Sequence, residues 1–232
     1  MDKKKVQRNF LWVALLLLAT VWILAHHNQP APYQADHGRI FGTLYNITYQ
    51  HPENLQNEID RELARLDGSL SPFNDTSVIS RINRGEDIKV DSFFTRVFRR
   101  SMEVSEETHG AFDITVAPLV NAWGFGFRQG TFPDSSTVDS LLLITGYHKV
   151  TLTPDGKIIK QDPQLMLTCS AVAKGYAVDA IAALLARKGV KNYMVDIGGE
   201  VVVKGQNPRG ERWRIGINKP VDDSLALNQE LQ

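Results

Sequence analysis

The chain has a single cysteine, Cys169, and no excess of charge: Lys+Arg and Asp+Glu are 26 each among 232 residues. A lone thiol excludes an intrachain disulfide and a cysteine zinc cage, so any metal must rely on oxygen or histidine ligands, which favours a hard ion such as Mg²⁺. A formal charge of zero offers no bulk basic field for a nucleic-acid backbone, and nucleic acid is not an expected partner. The six histidines never fall into His-Glu-x-x-His spacing, and the pair His26-His27 reads as solvated linker, which removes zincin chemistry. No Gly-x-x-x-x-Gly-Lys phosphate loop occurs, and Gly124-Phe-Gly126 carries Gln129 where a dinucleotide fingerprint needs its third glycine. Repeats of fixed period are absent too. What remains, 43% apolar and 22% charged residues, is ordinary globular composition and excludes a disordered tail.

The N-terminus reads as an address. Lys3, Lys4, Lys5 and Arg8 stand against Asp2, and Phe10 to Ala25 is then apolar apart from Thr20. At 1.5 Å per residue this run spans roughly 24 Å, somewhat short of a ~30 Å hydrocarbon core, so a cleaved signal and a retained anchor both fit. The segment Trp22-Ile-Leu-Ala25 is a weak cleavage site, which favours the anchor, and no cysteine follows the run to accept a lipid. The basic flank keeps the N-terminus cytoplasmic and sends the remainder outward. Residues 1–28 are therefore expected to be a signal peptide or signal anchor, 29–38 a proline-containing linker, and 39–232 the folded domain.

Within that domain, alternation of Phe41, Thr43, Tyr45, Ile47 and Tyr49 predicts a strand. Leu55, Ile59, Leu63 and Leu66 then recur at helical spacing, with Gly68 as a stop. Residues 69–83 are polar and turn-rich. Asp91/Ser92 cap a helix with Phe94, Val97, Phe98 and Met102 on its apolar stripe, ending near Gly110. Thr153-Pro-Asp-Gly156 predicts a hairpin turn, because Asp-Gly supplies positive φ. An alanine-rich helix over Val172–Lys188 closes at Gly189, and strands are expected over 192–197, 200–204 and 213–217. This mixture of helices and hairpins is α+β, with a largely antiparallel sheet.

Three segments carry chemistry. In Gly110-Ala-Phe-Asp-Ile-Thr115, a glycine admits close backbone approach and Asp113 and Thr115 bring polar groups, although a plain strand and loop in a core reads equally well. Ser170-Ala-Val-Ala-Lys174 opens the long helix. Its free N–H groups and the Lys174 ammonium would seat a diphosphate, and a solvated helix lysine is the alternative. Val195-Asp-Ile-Gly-Gly-Glu200 joins two strands across a glycine pair, where Asp196 and Glu200 would otherwise simply face water.

Together these segments resemble the ApbE family, the FAD:protein FMN transferases of bacteria. The resemblance also takes in Phe41-Gly-Thr43, Ser71-x-Phe-Asn74 to Asn83 with Ser77, and Trp213-Arg-Ile-Gly-Ile-Asn-Lys-Pro220, covering about Arg39 to Pro220. It implies a T-fold-like mixed, largely antiparallel sheet with packed helices, and an activity in which Mg²⁺ and FAD serve to move FMN onto a threonine hydroxyl with release of AMP. The implied partners are flavoprotein subunits of sodium-pumping NADH:quinone reductase or Rnf-type complexes, reached on the periplasmic side of the inner membrane. By similarity Phe41 and Phe73 line the flavin site, Ala111, Phe112 and Asp113 match a FAD-contacting triplet, and Lys174 holds the phosphates. Thr168 stands at a FAD-contacting position where the family usually carries aspartate, and the backbone carbonyl of Ala171 corresponds to one metal ligand. Family members continue for about a hundred residues past the Trp-x-Ile-Gly-Ile segment, so the domain is expected to be incomplete at its C-terminus, with catalytic groups and further metal ligands beyond residue 232. A Mg²⁺-dependent FAD pyrophosphatase and a noncatalytic flavin-binding fragment are the competing expectations.

Overall fold

The computed structural model describes residues 12–22, 30–125 and 132–216. Four strands form one antiparallel sheet in the order β1-β2-β5-β6: β1 Tyr33–Ile40, β2 Thr43–Gln50, β5 Tyr193–Ile197 and β6 Glu200–Lys204. The short strands β3 Val150–Leu152 and β4 Ile158–Lys160 pair separately around the expected Asp-Gly turn. Register explains the core. Tyr45, Ile47 and Tyr49 stand opposite Ile197, Val195 and Tyr193, so the pleat puts all six on one buried face. Helix α7, Ser170–Arg187, packs on β5 and β6 across that face and contacts α2, Gln56–Leu70. Leu55, Ile59, Leu63, Leu66 and Leu70 give the buried stripe at this end of the chain. Helix α4, Ser92–Glu107, closes the layer against α2 and α7, its first turn capped by Asp91 accepting from Phe94 N at 2.8 Å.

Several expectations are corrected. The sheet starts inside the span read as linker: β1 begins at Tyr33 and pairs along its whole length with β2. Its polar residues hid it. Phe41 does not begin the next strand, because Phe41 and Gly42, with φ of +54° and +74°, make the two-residue corner between β1 and β2. Gly68 does not stop α2, since burying Leu70 one turn beyond Leu66 outweighs the roughly 1 kcal/mol that a helical glycine costs. The turn-rich segment contains a short helix, α3, Val78–Asn83, and two further helices lie in the middle of the chain, α5 Ala117–Ala122 and α6 Ser135–Ile144. Residues 213–216 are not a strand; only the bridge Gln206↔Arg212 precedes them, and 217–220 lie outside the described residues. Residues 12–22 are helical (α1), and among the described residues no helix is long and apolar enough to cross a membrane. The rest of the apolar run, 10–11 and 23–25, is outside the described residues.

The register also buries a charge. Asp36 faces Ile47 on the covered face, 4% exposed, and its Oδ2 has no hydrogen-bond partner. Burial, with a smaller push from Asp60, holds its carboxyl above the usual carboxylate range, while the neighbouring Tyr49 hydroxyl and His37 partly offset this. A raised folded-state pKa means that the native chain binds the proton more tightly than the unfolded one. Stability from this group is therefore full below the unfolded value of 3.8 and is lost as pH rises through the folded value. Asp36→Asn is expected to stabilise the fold at pH 7 by about 1 kcal/mol, because it removes the charge that burial disfavours. Thermal melts should show this gain shrinking toward zero as the pH falls to 3.8.

Candidate functional site

The corner of the sheet gathers the expected ligand residues. At one side, the Phe73 ring lies against Gly42: a Cβ on that glycine would sit 3.1 Å from the ring. Phe73 is held out toward solvent by a braced loop. Ser77 Oγ donates to Ser71 O at 2.6 Å and accepts from Ser80 N, capping α3. Asn74 donates to Asp67 at 2.9 Å and accepts from Thr76 N and Oγ1.

The segment leading into α7 is fixed from two directions. Asn83 mimics a strand partner, donating Nδ2 to Leu167 O at 2.9 Å and accepting from Leu167 N at 2.7 Å, while Thr168 N donates to Ile114 O at 2.8 Å. Lys160 ties the preceding loop to α3 by donating to the carbonyls of Leu165, Pro163 and Ile82, and burial lowers its pKa. Thr168 Oγ1 accepts from Ser170 N at 3.3 Å and donates to Ser170 Oγ at 3.1 Å, so a neutral hydroxyl serves the start of the helix. Thr168, Ser170, Phe73 and Asn83 together line a hollow of about 80 Å³. Cys169, between Thr168 and Ser170 in sequence, is buried in the hydrophobic core, its thiol pushed up to about 12 by desolvation, and is no nucleophile.

Lys174 is one turn inside α7. The helix packs on β5 and β6, and the β5–β6 corner, Gly198-Gly199 with φ of +59° and +92°, comes up beside its side chain. Lys174 Nζ donates to Gly198 O at 3.1 Å and pairs with Glu200 Oε2 at 2.7 Å. Asp196 Oδ1 accepts from Gly199 N at 3.0 Å and braces the same corner. A Cβ on Gly198 would meet Thr43 Cγ2 at 2.7 Å and Lys174 Cδ at 3.1 Å, so β2, the corner and the lysine touch. The chain therefore brings the Phe41-Gly42 corner, Phe73, Thr168 and Lys174 around the start of α7.

The triplet behaves differently. Phe112 shares a groove of about 1230 Å³ between α4 and α7 with Ala171, Gly175 and Tyr176, and Ala111 is exposed. The Asp113 carboxylate is occupied internally: Oδ1 accepts from Thr115 N at 2.8 Å and Thr115 Oγ1 at 2.7 Å, and Oδ2 from Tyr147 N at 2.7 Å. Its direct work in the structure is to clamp a loop. Glu200, for which a water-facing hairpin corner was the alternative in the sequence, is the partner of Lys174; the available signal was the pleat, since Glu200 stands opposite the buried Ile197 and so faces α7.

For FAD the donor set fits: an ammonium and the start of a helix for the diphosphate, glycine corners that let the backbone approach, and aromatic rings beside them. For Mg²⁺ the described residues offer the Ala171 carbonyl, in the first turn of α7, to an ion that keeps several waters and takes oxygens from substrate phosphates; among the described residues no group of three or more His, Cys, Asp or Glu side chains could hold a metal ion.

A model of the ApbE family matches residues 41–231. A FAD:protein FMN transferase of Vibrio cholerae is 36% identical over 230 residues, covering 94% of this chain and 68% of the relative. One from Klebsiella pneumoniae is 32% identical, covering 82% and 58%. Among solved structures, the flavin transferase ApbE from Vibrio cholerae superposes with a TM-score of 0.77 at 36% identity, over 87% of this chain and 68% of that one. The apo flavinyl transferase ApbE of Pseudomonas stutzeri gives 0.73 at 29% identity, over 82% and 66%. The chain thus spans between 58% and 68% of the length of these relatives. Mixed helices around an antiparallel sheet, a glycine-cornered lysine seat and matches of this breadth have one reading: the chain belongs to the ApbE family.

Proposed function

We propose that the chain binds FAD at the start of α7 and takes part in moving its FMN half onto a threonine of a target flavoprotein. The observation that carries this reading is Lys174, whose ammonium is held at the Gly198-Gly199 corner one turn into α7. In the reaction a threonine Oγ attacks the FMN-side phosphorus, the bond from that phosphorus to the bridging oxygen breaks, AMP leaves with that oxygen, and the hydroxyl proton is released. Lys174 and the positive end of the α7 dipole draw the diphosphate's negative charge toward the helix, although Ser170 N, Val172 N and Ala173 N already donate to Thr168 Oγ1 and Cys169 O. Phe41 and Phe73 flank the flavin. Thr168, neutral where the family usually has aspartate, adds no repulsion toward phosphate. Asp113 keeps the loop of Ala111 and Phe112 in place through its three internal hydrogen bonds.

The finer parts of the reading are a Mg²⁺ requirement met by oxygen donors additional to the described ones, and targets in sodium-pumping NADH:quinone reductase or Rnf-type complexes. They also include a site of action on the periplasmic side of the inner membrane, reached through the basic and apolar N-terminal segment. The product of the gene's complete reading frame, incubated with FAD, Mg²⁺ and such a flavoprotein subunit, is expected to give a covalent mass gain of one FMN on the subunit and an equal amount of AMP, both abolished by EDTA. Free FMN formed without any protein acceptor would replace transfer by hydrolysis, and absence of both products would remove the reading.

A further inference from the structure

Glu200 is the first residue of β6 and, opposite Ile197, faces α7. Its Oε2 is buried and pairs with Lys174 Nζ at 2.7 Å, and the same Nζ donates to Gly198 O at 3.1 Å. An ammonium has three N–H donors, so these two contacts leave one for a ligand. A carboxylate at this distance fixes the ammonium through a charge-assisted contact.

We propose that Glu200 is a positioning residue for diphosphate recognition: its carboxylate holds the Lys174 ammonium over the Gly198-Gly199 corner before the ligand arrives. The lysine, in turn, screens that carboxylate from the ligand's phosphates. The inference rests on the reading of Lys174 as the diphosphate seat and adds a partner on which that seat depends. A flexible lysine stem restrained in advance loses less freedom on binding, which is a gain in affinity. Once the lysine is gone, the same carboxylate can only repel an anion.

The two roles give opposite signs in two backgrounds. In calorimetric titration of the full chain with FAD, Lys174→Ala is expected to weaken binding at least tenfold, as loss of one charge-assisted hydrogen bond does. Glu200→Gln alone, nearly isosteric, is expected to weaken it about threefold to tenfold. Added to Lys174→Ala, Glu200→Gln is expected to strengthen binding relative to Lys174→Ala alone. Far-UV circular dichroism and a melting temperature on each variant separate these effects from unfolding. A merely structural Glu200 would weaken binding in both backgrounds, and that result, or an unchanged or tighter Glu200→Gln single variant, overturns the proposal while leaving the FAD reading intact. Absence of FAD binding by the unsubstituted chain overturns the reading and the inference with it.

Discussion

Gly198→Ala is expected to weaken FAD binding by about tenfold or more, whereas Gly199→Ala stays within about twofold of the unsubstituted chain. Both glycines have positive φ, so either alanine meets the left-handed penalty of about 1–2 kcal/mol and lowers the melting temperature. Only one of them is crowded. A Cβ at 198 would lie 2.7 Å from Thr43 Cγ2 and 3.1 Å from Lys174 Cδ, while a Cβ at 199 looks into open space. Relief at 198 must come from moving β2 or the lysine, and either movement disturbs the hydrogen bond from Nζ to the Gly198 carbonyl. Overpacking of this kind adds about 1–3 kcal/mol, so Gly198→Ala should also melt several degrees below Gly199→Ala. Equal loss of affinity in the two variants would mean that backbone strain at the corner, and not the placement of Lys174, governs the site.

What could be read in advance was what is written locally. Asp91 announces its helix because an aspartate before an apolar stripe has an N–H to cap, and it caps Phe94. Gly189, at φ of +80°, ends α7 where the alanine-rich pattern stops, and the Asp-Gly turn closes β3 and β4. Each of these depends on neighbours within a few residues. β1 does not: Gln34, Asp36 and His37 are tolerated because β2 supplies the partner groups, and nothing inside the segment marks it. The Phe41 corner was missed for a related reason, since a bulky residue at positive φ is disfavoured alone and is held there by the hairpin on both sides. For the site, the place of Lys174 one turn into a helix was legible; its ion pair with Glu200, 26 positions away, follows only from the pleat and register. The resemblance supplied Asp113 as a ligand contact, but only the fold shows what its two oxygens hold.

That difference is testable at Asp113 itself. Asp113→Ala is expected to destabilise the fold by about 3 kcal/mol or more, because three donors lose a charged acceptor and bonds of this kind contribute about 1.5–3 kcal/mol each, without full additivity. In a domain of this size that corresponds to a fall in melting temperature of about 6–12 °C. Asp113→Asn should fall between: its carbonyl oxygen can still accept from Thr115, but its amide presents a donor to the donor of Tyr147. Thr115→Val removes both the hydroxyl that Asp113 holds and the acceptor for Gly146 N at 2.7 Å, and should reproduce part of the loss without touching the carboxylate. If the clamp is the residue's work, FAD affinity at low temperature declines across these three variants in the same order as stability, because Ala111 and Phe112 lose their support together. A residue that contacts FAD directly would instead let Asp113→Asn abolish binding at nearly unchanged melting temperature, with Thr115→Val binding normally; that pattern would return Asp113 from the scaffold to the ligand.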